Sequence, residues 1–157
     1  MAIEHAFDIG TPATAERVEA VLSSAVETGR LARPGHGSRV DRAGTVLGGG
    51  GHVSAYASPP LPFPDPMEEV FGFVPVVHVS FRISDPQSMP EHNHNMIVLL
   101  TAALSGVEGD AWFGANGEIT YLTRIAGRIT VDTDKTFWTP ELVALLPQHD
   151  TAALENM

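Results

Sequence analysis

Ile3, His5, Phe7 and Ile9 alternate with Glu4, Ala6 and Asp8, the period of two expected of a strand with one buried face. The period then lengthens. Val18, Val21, Leu22, Ala25 and Val26 follow the spacing of one apolar helix face. Thr11-Pro12 is its predicted start, Glu16 and Glu19 suit the positive end of its dipole, and Gly29 is its predicted stop. Residues 30–51 carry turn residues and scattered charge, and Gly48 to Gly51 predict a mobile loop or hairpin feeding a strand at "HVSAYAS". "PPLPFPDP", Pro59 to Pro66, reads as an extended, stiff connection, because proline at this density blocks both helix and ladder pairing. It also holds a Pro-x-x-Pro spacing, Pro59 to Pro62, of the sort that aromatic grooves read.

The clearest strand follows. Phe73, Val77, Val79, Phe81 and Ile83 fall on one face, with His78, Ser80, Arg82 and Ser84 on the other, and that polar face is a candidate working surface. Helical spacing returns through Ile97, Leu100, Ala103, Leu104 and Val107, with Asn93 or Asn95 as the predicted cap and Gly106 or Gly109 as the stop. Ile119, Tyr121, Thr123 and Ile125 then alternate with Glu118, Thr120, Leu122 and Arg124, with Asn116-Gly117 a hairpin turn or bulge and Ala126-Gly127 a tighter reversal. Thr139-Pro140 opens a short last helix.

The resulting order is β-α-β-β-α-β, followed by an extra strand and a terminal helix. It predicts an α+β fold with the split β-α-β order of ferredoxin-like proteins: an antiparallel sheet, two main helices on one face and a short C-terminal helix. With no repeat or linker in view, residues 1–157 are expected to form a single domain, loop-rich from Arg30 to Pro66 and with a tail after Pro147.

Charge changes the picture more than composition does. Nine Lys and Arg face nineteen Asp and Glu, for a formal −10, and Lys135 is the sole lysine. Nucleic-acid affinity rests on basic groups that displace counterions from phosphates, so nucleic acid is excluded as an expected ligand. A basic protein would be attracted and steered. Met96 to Leu100, the longest apolar run, is too short to span a bilayer, and "MAIEHAFDIG" has neither the basic nor the apolar region of a secretory signal. The absence of cysteine excludes disulfides, thiolate metal sites and cysteine nucleophiles. A cytoplasmic protein with no cofactor and no membrane association is expected, and a homo-oligomer is left open.

Candidate chemistry is sparse. Gly48 to Gly51 is followed by His52-Val53 rather than the Lys-Ser/Thr pair of a phosphate loop. In "EHNHN", His92 and His94 with Glu91 are weak metal candidates: an extended segment would converge them, a helical one would splay residues two apart. The expected reading is a polar helix start with both imidazoles partly exposed and titrating near neutrality. His78, Ser80 and Arg82 share one strand face, and Glu118, Thr120 and Arg124 would join it if the register allowed. No G-x-S-x-G elbow surrounds Ser80, so no catalytic residue is assigned. Asp132 with Asp134, and Asp65 with Glu68 and Glu69, complete no calcium loop and read as surface charge.

"GFVPVVHVSFRIS", "MIVLLTAALSGVEGDAWF", "ITYLTRIAGRITVD" and "FWTPELVALLP" together resemble the immunity proteins of swarming-inhibition (Sit) toxin–immunity systems. The resemblance spans about 71–147 with the opening strand and helix, and leaves 33–66 unmatched. Its marks are the apolar strand with aromatic and arginine, Gly109-Asp110-Ala111, and Trp138-x-Pro140-Glu141. It implies a cytoplasmic protein that binds and neutralises a cognate toxin, with no catalytic residues to carry over, and the acidic charge suits a basic toxin. The rival expectation is a small ligand-binding or enzymatic domain that uses the polar sheet face, with His78, Arg82 and Arg124 around an anionic substrate in a concave pocket.

Overall fold

The structure, a computed structural model, describes residues 3–10, 12–83 and 85–157. In chain order the elements are β1 (Ile3–Ile9), α1 (Ala15–Gly29), β2 (Thr45–Val46), β3 (His52–Ala57), α2 (Pro66–Phe71), β4 (Val77–Ile83), α3 (Met89–Gly106), β5 (Ala111–Ala115), β6 (Ile119–Ile125), β7 (Arg128–Asp132), α4 (Pro140–Val143) and β8 (Asp150–Ala152). The strands form one eight-stranded sheet in the order β2-β3-β4-β1-β5-β6-β7-β8. Every pairing is antiparallel except that of β7 with β8. The architecture is α+β with more strands than the sequence pattern predicts.

The alternation in β1 places it mid-sheet, between β4 and β5, because both of its neighbours carry matching apolar residues: Phe7 stands opposite Val79 on one side and Phe113 on the other. These side chains, with Val53, Ala55, Val77 and Phe81, meet Val18, Leu22 and Val26 of α1 and Met96, Ile97, Leu99 and Leu100 of α3 in the main core. The opposite face carries a smaller cluster of Ala6, Met67, Phe73 and Trp112, with Phe71, Ile125 and Met157 packed against it.

Several local expectations are corrected. The cap of α1 is Thr14, whose hydroxyl accepts from Arg17 N at 3.2 Å; Thr11 and, further on, Ser84 lie outside the described residues. The helix closes on Arg30 rather than Gly29, in the left-handed conformation at φ 52°. A side chain there crowds its own backbone, so Arg30→Gly is expected to raise stability by about 1 kcal/mol in chemical denaturation.

The proline-rich run is not extended throughout. Pro66 opens α2, since the N–H that proline lacks has no partner in a first turn, and Asp65 caps it by accepting from Met67 N at 2.8 Å. Phe73, expected beside Val77, instead enters the second cluster with Trp112 on the other face of the sheet.

The third helix starts at Met89, well before the predicted Asn93 or Asn95. Its first turns face a 3-10 turn at Gly48–Gly50 instead of the apolar core, which is why the apolar spacing begins only at Met96. The glycines are a packed floor, not a free loop. A Cβ at Gly51 would stand 2.2 Å from His92 Nδ1, and one at Gly48 or Gly49 would stand 3.0 Å from the Glu91 carboxylate. Asn95 Nδ2 donates to Gly48 O at 3.2 Å.

A bulge between Phe113 and Gly114 sets the facing of β6. Leu122 pairs with Phe113 and Thr120 with Gly114, so Tyr121 is the extra residue and the alternation shifts there. Thr120 accepts from Trp112 Nε1 at 2.9 Å on one face, while Arg124 turns to the other.

Asp132, expected at the surface, is buried. Its carboxylate accepts from the backbone N–H groups of Asp134, Lys135 and Leu154 and from Lys135 Nζ at 2.9 Å. Burial would raise its pKa, but the backbone hydrogen bonds and the Lys135 ammonium outweigh that and lower it. The chain beyond β8 then returns across β6, with Asn156 Oδ1 accepting from Thr120 N at 3.1 Å and Met157 N donating to Glu118 O at 2.9 Å.

Candidate functional site

The sheet face opposite α1 and α3 carries polar side chains in rows set by the strand register. Across β3, β4 and β1 these rows read His52–Arg82–Glu4, Ser54–Ser80–Ala6 and Tyr56–His78–Asp8. His78, Ser80 and Arg82 are thus held together, as residues two apart on one strand must be.

In the third row the His78 Nδ1–H donates to Asp8 Oδ1 at 2.7 Å, in a half-buried pair. Burial alone would lower the His78 pKa, but the hydrogen bond and charge of Asp8, with Glu4 behind them, raise it above the ordinary histidine value. The Tyr56 ring lies 5.2 Å from His78, and the Arg42 guanidinium carbon sits 5.4 Å from the Tyr56 centroid. Arg82 Nε approaches Glu4 Oε2 at 3.8 Å in an exposed pair of small energetic weight.

Two of the candidate residues stand apart. Glu118 is exposed at the β5–β6 turn. Arg124 is a correction to the expected polar face. It is buried, and its guanidinium donates to Leu104, Val107 and Gly109 carbonyls, each at 2.7 Å. It therefore closes the C-terminal end of α3, where carbonyls lack helical partners. The cleft it helps to line is shared with Gly127 and Ile129, not with His78 or Arg82.

The two histidines of "EHNHN" separate on α3. His94 is exposed, whereas His92 is fully buried, contrary to the expected partial exposure of both. Its ring lies 6.4 Å from that of His5, which is also buried among Phe113, Tyr121 and Phe137. Among the described residues, neither ring nitrogen of His92, nor His5 Nδ1, has a hydrogen-bond partner. Burial lowers both pKa values to about 4, and for His5 the neighbouring His92 adds to the effect. Among the described residues, no group of three or more His, Cys, Asp or Glu is placed to hold a metal ion.

Asp8, Tyr56 and Arg42 were not expected at the site. No local signal names them, because the Asp8–His78 pair joins strands seventy residues apart. His5 did carry a signal, since it occupies an inward position in the first alternation. None of the described helices is long and apolar enough to cross a membrane.

A family model described as SitI3-like matches residues 3–142. The match runs through 33–66, the stretch that the sequence resemblance leaves out. No curated protein and no solved structure matches the chain.

Proposed function

The chain belongs to the SitI3-like family, and from that premise we propose that it is a non-enzymatic immunity protein that neutralises a cognate bacterial toxin by direct binding in the cytoplasm. The family match over 3–142 is the observation that carries this reading. The formal charge of −10 supports a basic toxin as the partner.

The sheet face away from α1 and α3 is the proposed partner side, with His78 and Arg82 at its centre, the candidate Ser80 buried between them, and Glu118 at its margin. Arg124 contributes there only by fixing the end of α3. The same withdrawal of Arg124 takes one of three cationic groups from the rival anion-binding pocket. We also read the inner strands β3-β4-β1-β5, with α1 and α3 as crossovers, as a ferredoxin-like split order. In this reading one domain is enlarged by β2 at one edge and by β6, β7 and β8 at the other.

Stopped-flow binding kinetics with the product of the neighbouring reading frame test the function. A specific complex is expected whose association slows as salt is raised, because exposed charges are screened beyond about 10 Å at 0.1 M ionic strength. No complex in any salt would sink the immunity reading, and an association rate indifferent to salt would remove its electrostatic part.

A further inference from the structure

Among the described residues, the exposed large hydrophobics are Leu61, Phe63, Val70 and Val74, and all four lie on the excursion between β3 and β4. Phe63 is 59% exposed and Val74 51%. Scattered apolar residues on a surface need no explanation, but a contiguous group on one segment does. Leu61, Phe63 and Val74 wall a groove of about 440 Å³.

Folding does not account for their exposure. The excursion is anchored by other residues, Met67 and Phe73, which are buried against Trp112. Its neck is closed by Ser58 N donating to Val76 O at 2.8 Å, and α2 ends on Gly72 at φ 81° with its N–H on Glu68 O. Prolines 59, 60, 62, 64, 66 and 75 fix φ along it. A surface so constrained loses little conformational freedom on binding.

Charge selects the occupant. Between Arg42 and Arg82 the chain has no lysine or arginine, while Asp65 and Glu68 line the groove and Glu69 follows them in the first turn of α2. A second copy of this chain would bring carboxylate against carboxylate, and an anionic lipid surface would be repelled.

We propose that the Pro59–Val76 excursion is the docking surface for a basic amphipathic segment of the toxin. The segment's apolar side chains enter the groove between Leu61, Phe63 and Val74, and its lysines or arginines meet Asp65, Glu68 and Glu69. This rests on the reading of the protein as a toxin-binding protein, and it assigns the anchor of the contact to a rigid loop beside the polar rows of the sheet.

Isotope-labelled protein titrated with synthetic peptides tests the surface without the toxin. The probes are an amphipathic leucine–lysine peptide, its leucine–glutamate counterpart and an apolar-free lysine–glutamine peptide. The leucine–lysine peptide is expected to shift the amide resonances of 59–76. The other two peptides, and the variant Phe63→Ser with Val74→Ser, are expected to bind at least roughly tenfold more weakly. The proposal is overturned by equal binding of the leucine–glutamate peptide, by shifts centred away from 59–76, or by no binding of the leucine–lysine peptide. Self-association of the protein through Phe63 would also overturn it, in favour of a second copy as occupant.

In cells challenged with the toxin, the same double variant, folded by its melting curve, is expected to lose protection. Full protection by the variant overturns the docking surface and leaves the immunity reading standing. Failure of the unaltered protein to protect overturns the immunity reading, and the peptide titration still decides the surface.

Discussion

Acidification is expected to remove about 3 kcal/mol of stability for each of His5 and His92 as the pH falls from 6.5 to about 4. The sign follows from where each proton goes. Above pH 6.5 both imidazoles are neutral in the folded and the unfolded chain, and they contribute nothing to the pH dependence. Between 6.5 and about 4 the unfolded chain takes up two protons that the folded chain refuses, because burial disfavours the charged form of both rings and a charged His92 opposes a second charge on His5. Below about 4 the folded state is protonated as well and the loss levels off. His78 runs the other way. Its raised pKa gives a contribution that is present below 6.5 and is lost as the pH rises through the folded value.

Urea denaturation at several pH values checks this, by comparing the unaltered protein with His5→Phe, His92→Leu and the pair. Carboxylates titrate over part of the same range, so the informative quantity is the change in pH slope between proteins. Each substitution is expected to flatten the slope above pH 4.5, and the pair most. A slope unchanged in the double variant would refute the assignment of acid sensitivity to these rings.

Asp132→Ala is expected to be the most damaging single substitution away from the core, at about 3–5 kcal/mol. The carboxylate is the shared acceptor for three backbone N–H groups and the Lys135 ammonium. Its loss leaves those donors short of an acceptor in a poorly hydrated place, with the cation, itself mostly buried, left on Leu154 O without its counter-charge. The hydrogen bond to Leu154 N also fixes the path of 153–157, so the contacts of Asn156 and Met157 across β6 should loosen with it. Urea unfolding gives the energy, and limited proteolysis with mass detection gives the place. Cleavage is expected to begin within the last residues. A loss under about 1 kcal/mol with an unchanged cleavage pattern would show that the tail holds without this carboxylate.

Periodicity carried the fold wherever an element meets the main core. The alternation of β1 and β4 and the apolar stripe of α1 are decided by burial against one another, and burial is what a pattern of apolar residues records. It failed where the neighbour is something else. The first turns of α3 pack on glycine backbone, so their inward residues are His92 and Asn95 and the helix start is hidden. The prolines before α2 obscured it because a short helix anchored by Met67 has no stripe to show. The bulge at Tyr121 is invisible without the partner strand, and it sent Arg124 to the wrong face.

The candidate site divides in the same way. His78, Ser80 and Arg82 were legible as one face of one strand. Asp8, which holds His78, was not, because pairing across the sheet depends on strand order rather than on local spacing.

The ends of the sheet set a condition on any partner. Strand β2 has two residues and β8 has three, so neither of these edge strands itself offers a long row of free amides and carbonyls. Adding a partner's strand to β2 or β8 would therefore form few ladder hydrogen bonds, so the route by which many proteins bind extended peptides with little regard to sequence is weak at these two strands. That favours recognition by side chains on a preformed surface, where a single changed residue alters the fit. A family built on this plan would diversify its partners by altering surface residues while leaving the sheet untouched.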